Sequence, residues 1–299
     1  MSAVTTGNKT PAIPQVSFGR KLKDRAVQVL VYVAFALAVV PLISVLFTVV
    51  SKGLKRLTPD FLTHSMNGVS GRDLGGGVYH AIIGTLEQVL LASLISVPLG
   101  LLTAIYLVEY AQNGRLSKVI SFFVDVMTGI PSIVAGLFVL ALWLLGFGFG
   151  FSGFAGAMAL SILMMPTVVR ATEEMLKLVP NDLREAAFAL GVPRWRTICF
   201  VVLPTALTGI ITGVMLAVAR VMGETAPLLL TIFVTKAINT DPFNGAQGSL
   251  PTFIWDQAGD PNTNAIDRAW AGALTLILII MLLNLVARLV ARLRKPVSR

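Results

Sequence analysis

Residues 179–204 read VPNDLREAAFALGVPRWRTICFVVLP and form a polar, basic loop between two long apolar stretches. Asn181 or Asp182 is placed to cap a short helix, because Asn and Asp side chains accept hydrogen bonds from the free N–H groups at a helix start. Gly191 fits the left-handed residue that often follows a helix, and Pro193 fits the first turn of a second helix. The stretch therefore predicts two helices joined by a tight turn.

One face of the first predicted helix carries small and apolar side chains at helical spacing: Leu183, Ala186, Ala187 and Leu190. Such a face predicts close packing against a partner protein. The alternative is an amphipathic helix on the membrane surface. In that case three basic side chains would contact lipid headgroups: Arg184, Arg194 and Arg196.

The loop belongs to a chain whose composition is typical of a membrane protein. Of its 299 residues, 55% are hydrophobic and 13% are charged, whereas soluble domains carry about 25% charged residues. A bilayer core about 30 Å thick needs roughly 20 apolar residues per helix. Six segments meet that requirement: 26–50, 79–108, 119–147, 152–170, 205–234 and 269–288. We therefore predict an all-α integral membrane protein with six transmembrane helices.

The spans also predict the organisation of the chain. Residues 26–50 contain no charge, and they exceed the length of about 7 to 15 residues typical of a signal-peptide core, so we expect an uncleaved first span. We assign residues 1–25 to an N-terminal tail, disordered over 1–19, residues 26–292 to one transmembrane domain, and residues 293–299 to a C-terminal tail.

The basic residues are divided unevenly between the two sides of the membrane. With the N-terminus in the cytoplasm, sixteen Lys and Arg residues are cytoplasmic and six lie outside. The positive-inside rule therefore predicts that both termini are cytoplasmic. The net charge of +9 thus reflects topology, and we expect contact with membrane lipid rather than with nucleic acid.

The loop carries a family resemblance in Glu185-Ala186-Ala187, Gly191 and, with Val201 in place of the usual Ile, Leu203-Pro204. This spacing is similar to the EAA motif of binding-protein-dependent transport system inner-membrane components, the permeases of ABC importers. In that family the loop forms a coupling helix seated in a cleft of the ATPase subunit. The resemblance implies the type I ABC importer permease (MetI-like) fold. It also implies a set of ATPase-coupling residues: Glu185, Ala186, Ala187, Gly191, Leu203 and Pro204.

The chain contains no G-x-x-x-x-G-K-[ST] sequence, the loop that cradles nucleotide phosphates. We therefore expect no enzymatic activity and no cofactor in this chain. The resemblance implies that ATP and Mg are bound by partner ATPase subunits.

Arg220 and Glu224 interrupt the fifth apolar segment. A charge at the bilayer centre costs about 2.5 to 3.5 kcal/mol, so both side chains must face protein or water. At i, i+4 they share a predicted helix face. One hypothesis is that the Arg220 guanidinium binds an oxyanion crossing the membrane while Glu224 orients it. The alternative is a buried ion pair that only sets helix register.

Gly223 and Pro227 accompany these two charges and predict a break in the fifth helix, where we place a gate. Residues 219–228, ARVMGETAPL, resemble the corresponding segment of phosphate-specific ABC permeases of the PstA type, as do 106–110 and 268–271. The resemblance implies a subunit of an ATP-driven phosphate importer in the bacterial inner membrane. Its implied partners are a homologous PstC-type permease in a heterodimer, two PstB-type ATPases and an external PstS-type phosphate-binding protein.

Other charged residues near the spans are weaker candidates. Arg170, at the inner end of the fourth segment, is a third candidate for the substrate path, with a positive-inside anchor as the alternative. Glu87, Glu109 and Asp125 are expected to make helix contacts or to lie at the interface. Two functional alternatives stay open. The first is an ABC permease for another oxyanion, such as sulfate, molybdate or phosphonate. The second is a proton-coupled secondary carrier, which would not need the EAA loop.

Overall fold

A computed structural model of the chain describes residues 18–111 and 114–293, with side chains described for 19–111 and 114–289. Most of the two predicted tails, residues 1–17 and 294–299, lies outside these ranges. Residues 18–25, which we had assigned to the N-terminal tail, belong to the first helix. The part of the chain that is described contains helices and turns and no strand.

The chain divides into two compact units, Met1–Thr48 and Val49–Arg299. The first contains α1 (Phe18–Gly53) as far as Thr48, a helix with large exposed apolar side chains that qualifies as a membrane span. The second unit contains the remaining helices: α2 (Pro59–Thr63), α3 (Tyr79–Ile105), α4 (Arg115–Gly129), α5 (Ser132–Val139), α6 (Gly153–Lys177), α7 (Asn181–Ala189), α8 (Arg194–Thr197), α9 (Leu203–Met222), α10 (Ala226–Thr231), α11 (Leu250–Gly259) and α12 (Thr263–Leu293).

Three wider π turns extend or join these helices. Tyr106–Tyr110 continues α3, Leu140–Gly146 continues α5, and Ile198–Val202 joins α8 to α9. The last of these precedes Pro204, which lacks the N–H that a regular helix would use, and proline is a common cause of such irregular turns. Residues 194–222 nevertheless form one continuous helical stretch.

Within the described residues, five helical stretches are long and apolar enough to cross a membrane, and a bent pair makes a sixth span if it is counted as one. The prediction of an all-helical membrane protein is therefore confirmed, and the six predicted spans correspond to these five stretches and the bent pair. The second, fourth and sixth spans correspond to 79–110, 153–177 and 263–289.

The third predicted span, 119–147, is not one straight helix, and this part of the prediction is wrong. α4 and the stretch from α5 to Gly146 meet at an angle of 105°. Pro131 stands at the bend, and proline disfavours the helical conformation in the residue before it. Ile130 accordingly adopts an extended backbone with φ −71° and ψ 127°.

The fifth predicted span, 205–234, is also broken. α9 ends at Met222, and α10 begins only at Ala226. Pro227 has no N–H with which to bond the Gly223 carbonyl, so an unbroken helix would lose a hydrogen bond there. The break predicted from Gly223 and Pro227 is confirmed.

α6 is the central helix and contacts both α3 and α9 at small residues. A Cβ on Gly100 of α3 would lie 2.8 Å from the Val168 side chain, and one on Gly213 of α9 would lie 2.5 Å from the Ala171 Cβ. Small residues allow membrane helices to approach this closely. α3, α6 and α9 thus form a closely packed core, and most of the charged residues described below lie on these helices or next to their ends.

Two long loops cover the end of this core where α3 begins. Arg268 of α12 is fully buried and donates hydrogen bonds to four carbonyls of the first loop: Ser70, Gly71, Asp73 and Gly75. In the second loop, Gln247 donates to Glu87 of α3 at 2.6 Å and accepts from Gln88 at 2.8 Å. Glu87 thus makes the expected hydrogen bond, but its partner is Gln247 of the loop. A side-chain hydrogen bond from Asn244 lowers the pKa of Asp241 on the same loop.

Candidate functional site

The turn between α7 and α8 has the geometry that the sequence predicts. Gly191 adopts φ +76°, a left-handed conformation that favours glycine. Its N–H donates to the Phe188 carbonyl at 2.9 Å, and the Val192 N–H donates to the Ala187 carbonyl at 3.1 Å. These two bonds form a Schellman motif that ends the helix.

The start of α7 differs from the prediction. The residue before the helix is Pro180, while Asn181 and Asp182 lie in the first turn, and no side chain caps the helix. The capping prediction is wrong because Pro180 occupies the capping position. The Asn181 side chain accepts a hydrogen bond from Arg184 at 3.3 Å. The first turn is thus held by a side chain from within α7.

Only part of the apolar face predicted on α7 is buried. Ala187 is 8% exposed and packs inside the chain, whereas Leu190 is 83% exposed. Leu183 and Ala186 are also exposed, as is Glu185 beside them. A partner could therefore reach Glu185 and Ala186, while Ala187 stabilises the loop from within.

Arg184 joins the end of α3 to α7, a contact that we call the Arg184 clamp. Its Nη2 lies 2.7 Å from Glu109 Oε1 and its Nε lies 3.1 Å from the same oxygen. The guanidinium also donates to the carbonyls of Leu176 at 3.0 Å and Val179 at 2.7 Å. The exposed fractions are 14% for the Arg184 side chain and 6% for that of Glu109. The clamp therefore connects α7 to the ends of both α3 and α6.

The second helix of the loop contacts the same point. The Arg194 guanidinium of α8 lies 5.2 Å from the ring centre of Tyr110, which directly follows Glu109. Sequence reasoning assigned Glu109 to the membrane interface and missed the clamp. The sequence does place Glu109 and Arg184 on the same predicted side of the membrane. Because 75 residues separate them, no local pattern indicates that they pair.

Arg170 of α6 is surrounded by carboxylates. It pairs with Asp125 of α4 and, at 2.5 Å, with Glu173, while its Nη2 donates to the Ser121 carbonyl at 3.2 Å. Lys177 approaches Glu173 at 2.8 Å. Asp125 therefore makes a helix–helix contact, and sequence reasoning missed Glu173. The charge of Arg170 is balanced within the chain, and its role in a substrate path stays a prediction.

Arg220 and Glu224 differ from all these pairs. Arg220 is exposed in the last turn of α9, and its guanidinium makes no hydrogen bond or ion pair with any described residue. Glu224 follows the helix end, and its backbone N–H bonds the Val221 carbonyl at 3.2 Å. The expected shared helix face is wrong because the helix ends between the two residues. The alternative of a buried ion pair is likewise not formed.

Arg220 ends a line of exposed residues along α9 at four-residue spacing: Thr208, Thr212, Leu216 and Arg220. The opposite face of α9 is buried: Ala206, Ile210, Ala217 and Val221. A membrane helix turns an arginine toward protein or water rather than lipid. The exposed face of α9 is therefore suited to a partner subunit or to a polar path.

Histidines and cysteine form no further site in the residues that the structure describes, where no three potential metal ligands cluster. His80 is buried and packs edge-on against Phe253 at 5.8 Å between ring centres. Cys199 is exposed and unpaired.

Residues 96–296 match the family described as "Binding-protein-dependent transport system inner membrane component". The phosphate transport system permease protein PstA 1 of Mycobacterium tuberculosis (strain CDC 1551 / Oshkosh) is 47% identical over 272 residues, which cover 91% of this chain and 89% of that protein. The PstA protein of Mycobacterium leprae (strain TN) is 45% identical over 278 residues, covering 93% and 91%.

Among solved structures, the MetNI methionine ABC transporter in inward-facing conformations matches with TM-score 0.57 and 21% identity, covering 74% of this chain and 95% of that chain. A likeness at this identity shows the fold alone, and it confirms the expected MetI-like architecture. By sequence, architecture and spans together, the chain belongs to the family of binding-protein-dependent transport system inner membrane components and is a multi-pass membrane protein.

Proposed function

We propose that this chain is the permease subunit of an ATP-driven importer of inorganic phosphate. The relatives named as phosphate transport permeases match about nine-tenths of its length. The observation that carries the proposal within the molecule is the unpaired Arg220 guanidinium at the break between α9 and α10. Such a group, with five donors and a permanent charge, suits a tetrahedral oxyanion.

In this proposal the exposed face of α9 lines half of the translocation path. Arg220 binds phosphate at the helix break, and Glu224, half-buried two residues beyond the helix end, orients the guanidinium or accepts a hydrogen bond from protonated phosphate. Arg170 lies closer to the EAA loop, and its charge is already balanced by two carboxylates. We therefore assign Arg170 a smaller effect on the anion than Arg220.

The EAA loop is the proposed docking point of the ATPase. Glu185, Ala186 and Gly191 are exposed, while Ala187 is buried and Leu203 is half-buried at the start of α9. Movement of the loop would reach Arg220 along the continuous helical stretch 194–222, which contains Leu203 and Pro204. It would reach α3 and α6 through the Arg184 clamp.

The proposed assembly contains a homologous PstC-type permease, two PstB-type ATPases that bind ATP and Mg, and an external PstS-type phosphate-binding protein. The unpaired face of α9 leaves room for the second permease to complete the path. The EAA loop lies on the predicted cytoplasmic side and the loops anchored by Arg268 on the predicted outer side. This arrangement separates the proposed ATPase surface from the proposed binding-protein surface.

Uptake of radiolabelled phosphate by phosphate-limited cells that lack this chain tests the proposal. We expect uptake to be lost, to return with the wild-type chain, and to resist competition by sulfate, molybdate and phosphonate. Normal phosphate uptake together with impaired uptake of another oxyanion would overturn the assignment. Uptake that persists after ATP depletion with the proton gradient intact would favour a secondary carrier.

A further inference from the structure

A groove with a volume of about 130 Å³ runs between α9 and α12. Its lining residues come from both helices: Ile211, Thr212, Met215, Leu216, Ala219, Asn284, Ala287 and Arg288. Ala219 directly precedes Arg220. Since a liquid water molecule takes up about 30 Å³, the groove has room for several waters or for a small ion. Among the described residues, its lining includes a guanidinium and no carboxylate.

Arg288 lies at the end of the groove nearer to the EAA loop. Arg268, at the start of α12, binds the loop that leads into α3, while the other end of α3 carries Glu109 and the Arg184 clamp. α12 therefore runs toward the EAA loop, and α9 runs away from it. Arg288 follows Arg268 by about 30 Å along the helix, at roughly 1.5 Å per residue.

The polar groups of the groove are available to a ligand. Arg288 is exposed, and its guanidinium contacts none of the described side chains through a hydrogen bond or ion pair. The Asn284 amide uses one N–H on the Ile280 carbonyl at 3.0 Å, which leaves the other free. The Thr212 hydroxyl donates to the Thr208 carbonyl at 2.8 Å and can still accept from a P–OH group.

We propose that this groove is the inner part of the phosphate path and that Arg288 is a second phosphate-binding cation, which receives the anion after it leaves Arg220. The inference rests on the proposed function. Arg288 lines one end of the groove, and Arg220 directly follows Ala219, which lines the other end. These two unpaired guanidinium groups, with no carboxylate among the described lining residues, match the charge of a phosphate ion. Spaced cationic groups allow an anion to be bound and passed on without being trapped.

Transport by the assembled complex tests the role of Arg288. We expect Arg288→Gln to lower the maximal rate of phosphate uptake roughly tenfold, the size of one hydrogen bond to a charged group. The KM for external phosphate should stay unchanged, because capture occurs on the other side. Arg288→Lys should retain most of the rate. Arg115→Gln, an exposed cation on α4 outside the groove, is the matched control.

Cysteine labelling tests the groove independently of the rate. In a Cys199→Ser background that transports phosphate, Thr212→Cys and Ala287→Cys should react with an anionic methanethiosulfonate added from the EAA-loop side of the assembled complex. Inorganic phosphate should slow this reaction. Val286→Cys lies on the opposite face of α12, where the native side chain is 49% exposed, and should react slowly and without phosphate protection.

Two results would overturn the inference. One is a wild-type rate for an Arg288→Gln variant that inserts and assembles normally. The other is absent or phosphate-insensitive labelling of both groove cysteines, which would mean that lipid or the second permease fills the groove. Loss of uptake in Arg220→Gln with a normal rate in Arg288→Gln would overturn this inference alone. Normal uptake in both variants would also overturn the proposed role of Arg220.

Discussion

The charged residues of this protein fall into two regions with opposite bonding. In the first, Arg184 and Arg170 reach carboxylates from other helices, with Glu109 only 6% exposed. In the second, Arg220 and Arg288 face an open surface without a partner among the described side chains. The first region therefore holds helices together, while the charges of the second require a partner outside the chain.

The physical basis of this comparison is the cost of an uncompensated charge. Removing one partner of a buried ion pair costs about 3 to 5 kcal/mol, because the other charge stays buried and unpaired. Removing an exposed cation without a partner costs the fold little. Variants in the first region should therefore lower stability, and variants in the second should lower transport in a chain that folds normally.

The two largest expected effects are on transport, through Arg220 and through Glu185. We expect Arg220→Gln to reduce phosphate uptake by roughly a hundredfold, as expected for loss of a bidentate charge-assisted contact of about 3 kcal/mol. Membrane levels of the chain should stay normal. Arg220→Lys should give an intermediate rate, since lysine keeps the charge but lacks the planar fork. Uptake at the wild-type rate in Arg220→Gln would contradict the assignment of the unpaired charges to transport.

Glu185→Lys should abolish uptake by disturbing the proposed ATPase contact, because it reverses an exposed charge on α7. The variant should still insert, since Glu185 has no partner among the described residues that it would leave unpaired. Co-purification of the ATPase and uptake are the two measurements. Asp182→Lys, an exposed charge reversal in the same helix, is the control, and normal transport by Glu185→Lys would disprove the docking role.

Glu109→Gln should destabilise the chain by about 3 kcal/mol, because it leaves the Arg184 guanidinium without its counter-charge. Thermal unfolding of the detergent-solubilised complex should show a lower midpoint, and uptake should fall with it. Glu174→Gln on α6 is the control, since its side chain is 65% exposed. The pairing is tested by a double-mutant cycle of Glu109→Gln with Arg184→Gln, where additive effects would contradict the clamp.

The smallest effect is expected at Asp125, within the first region itself. Its side chain is 67% exposed, so Asp125→Asn should cost about 1 kcal/mol or less. Glu173→Gln should cost more, because that side chain is 10% exposed and contacts both Arg170 and Lys177. Equal midpoints for the two variants would show that burial does not set the strength of these pairs.

Much of the candidate site was accessible from residue patterns. The helix–turn–helix loop, the left-handed Gly191 and the break at Gly223 to Pro227 depend on backbone chemistry within a few residues, and all three are confirmed. The expectation that Arg220 and Glu224 share a helix face was wrong, although it used the same local spacing. It assumed a helix that the neighbouring proline had already ended.

The membrane class, the apolar segments and the EAA loop could be predicted from residue patterns, because they follow from apolar length and local backbone preferences. Which charges are paired depends on how the helices pack. Glu109 meets Arg184 across 75 residues, and Asp125 meets Arg170 across 45, because helix packing brings together side chains that no local pattern connects. Packing likewise left Arg288 open in the groove between α9 and α12, and Arg220 unpaired directly after the lining residue Ala219.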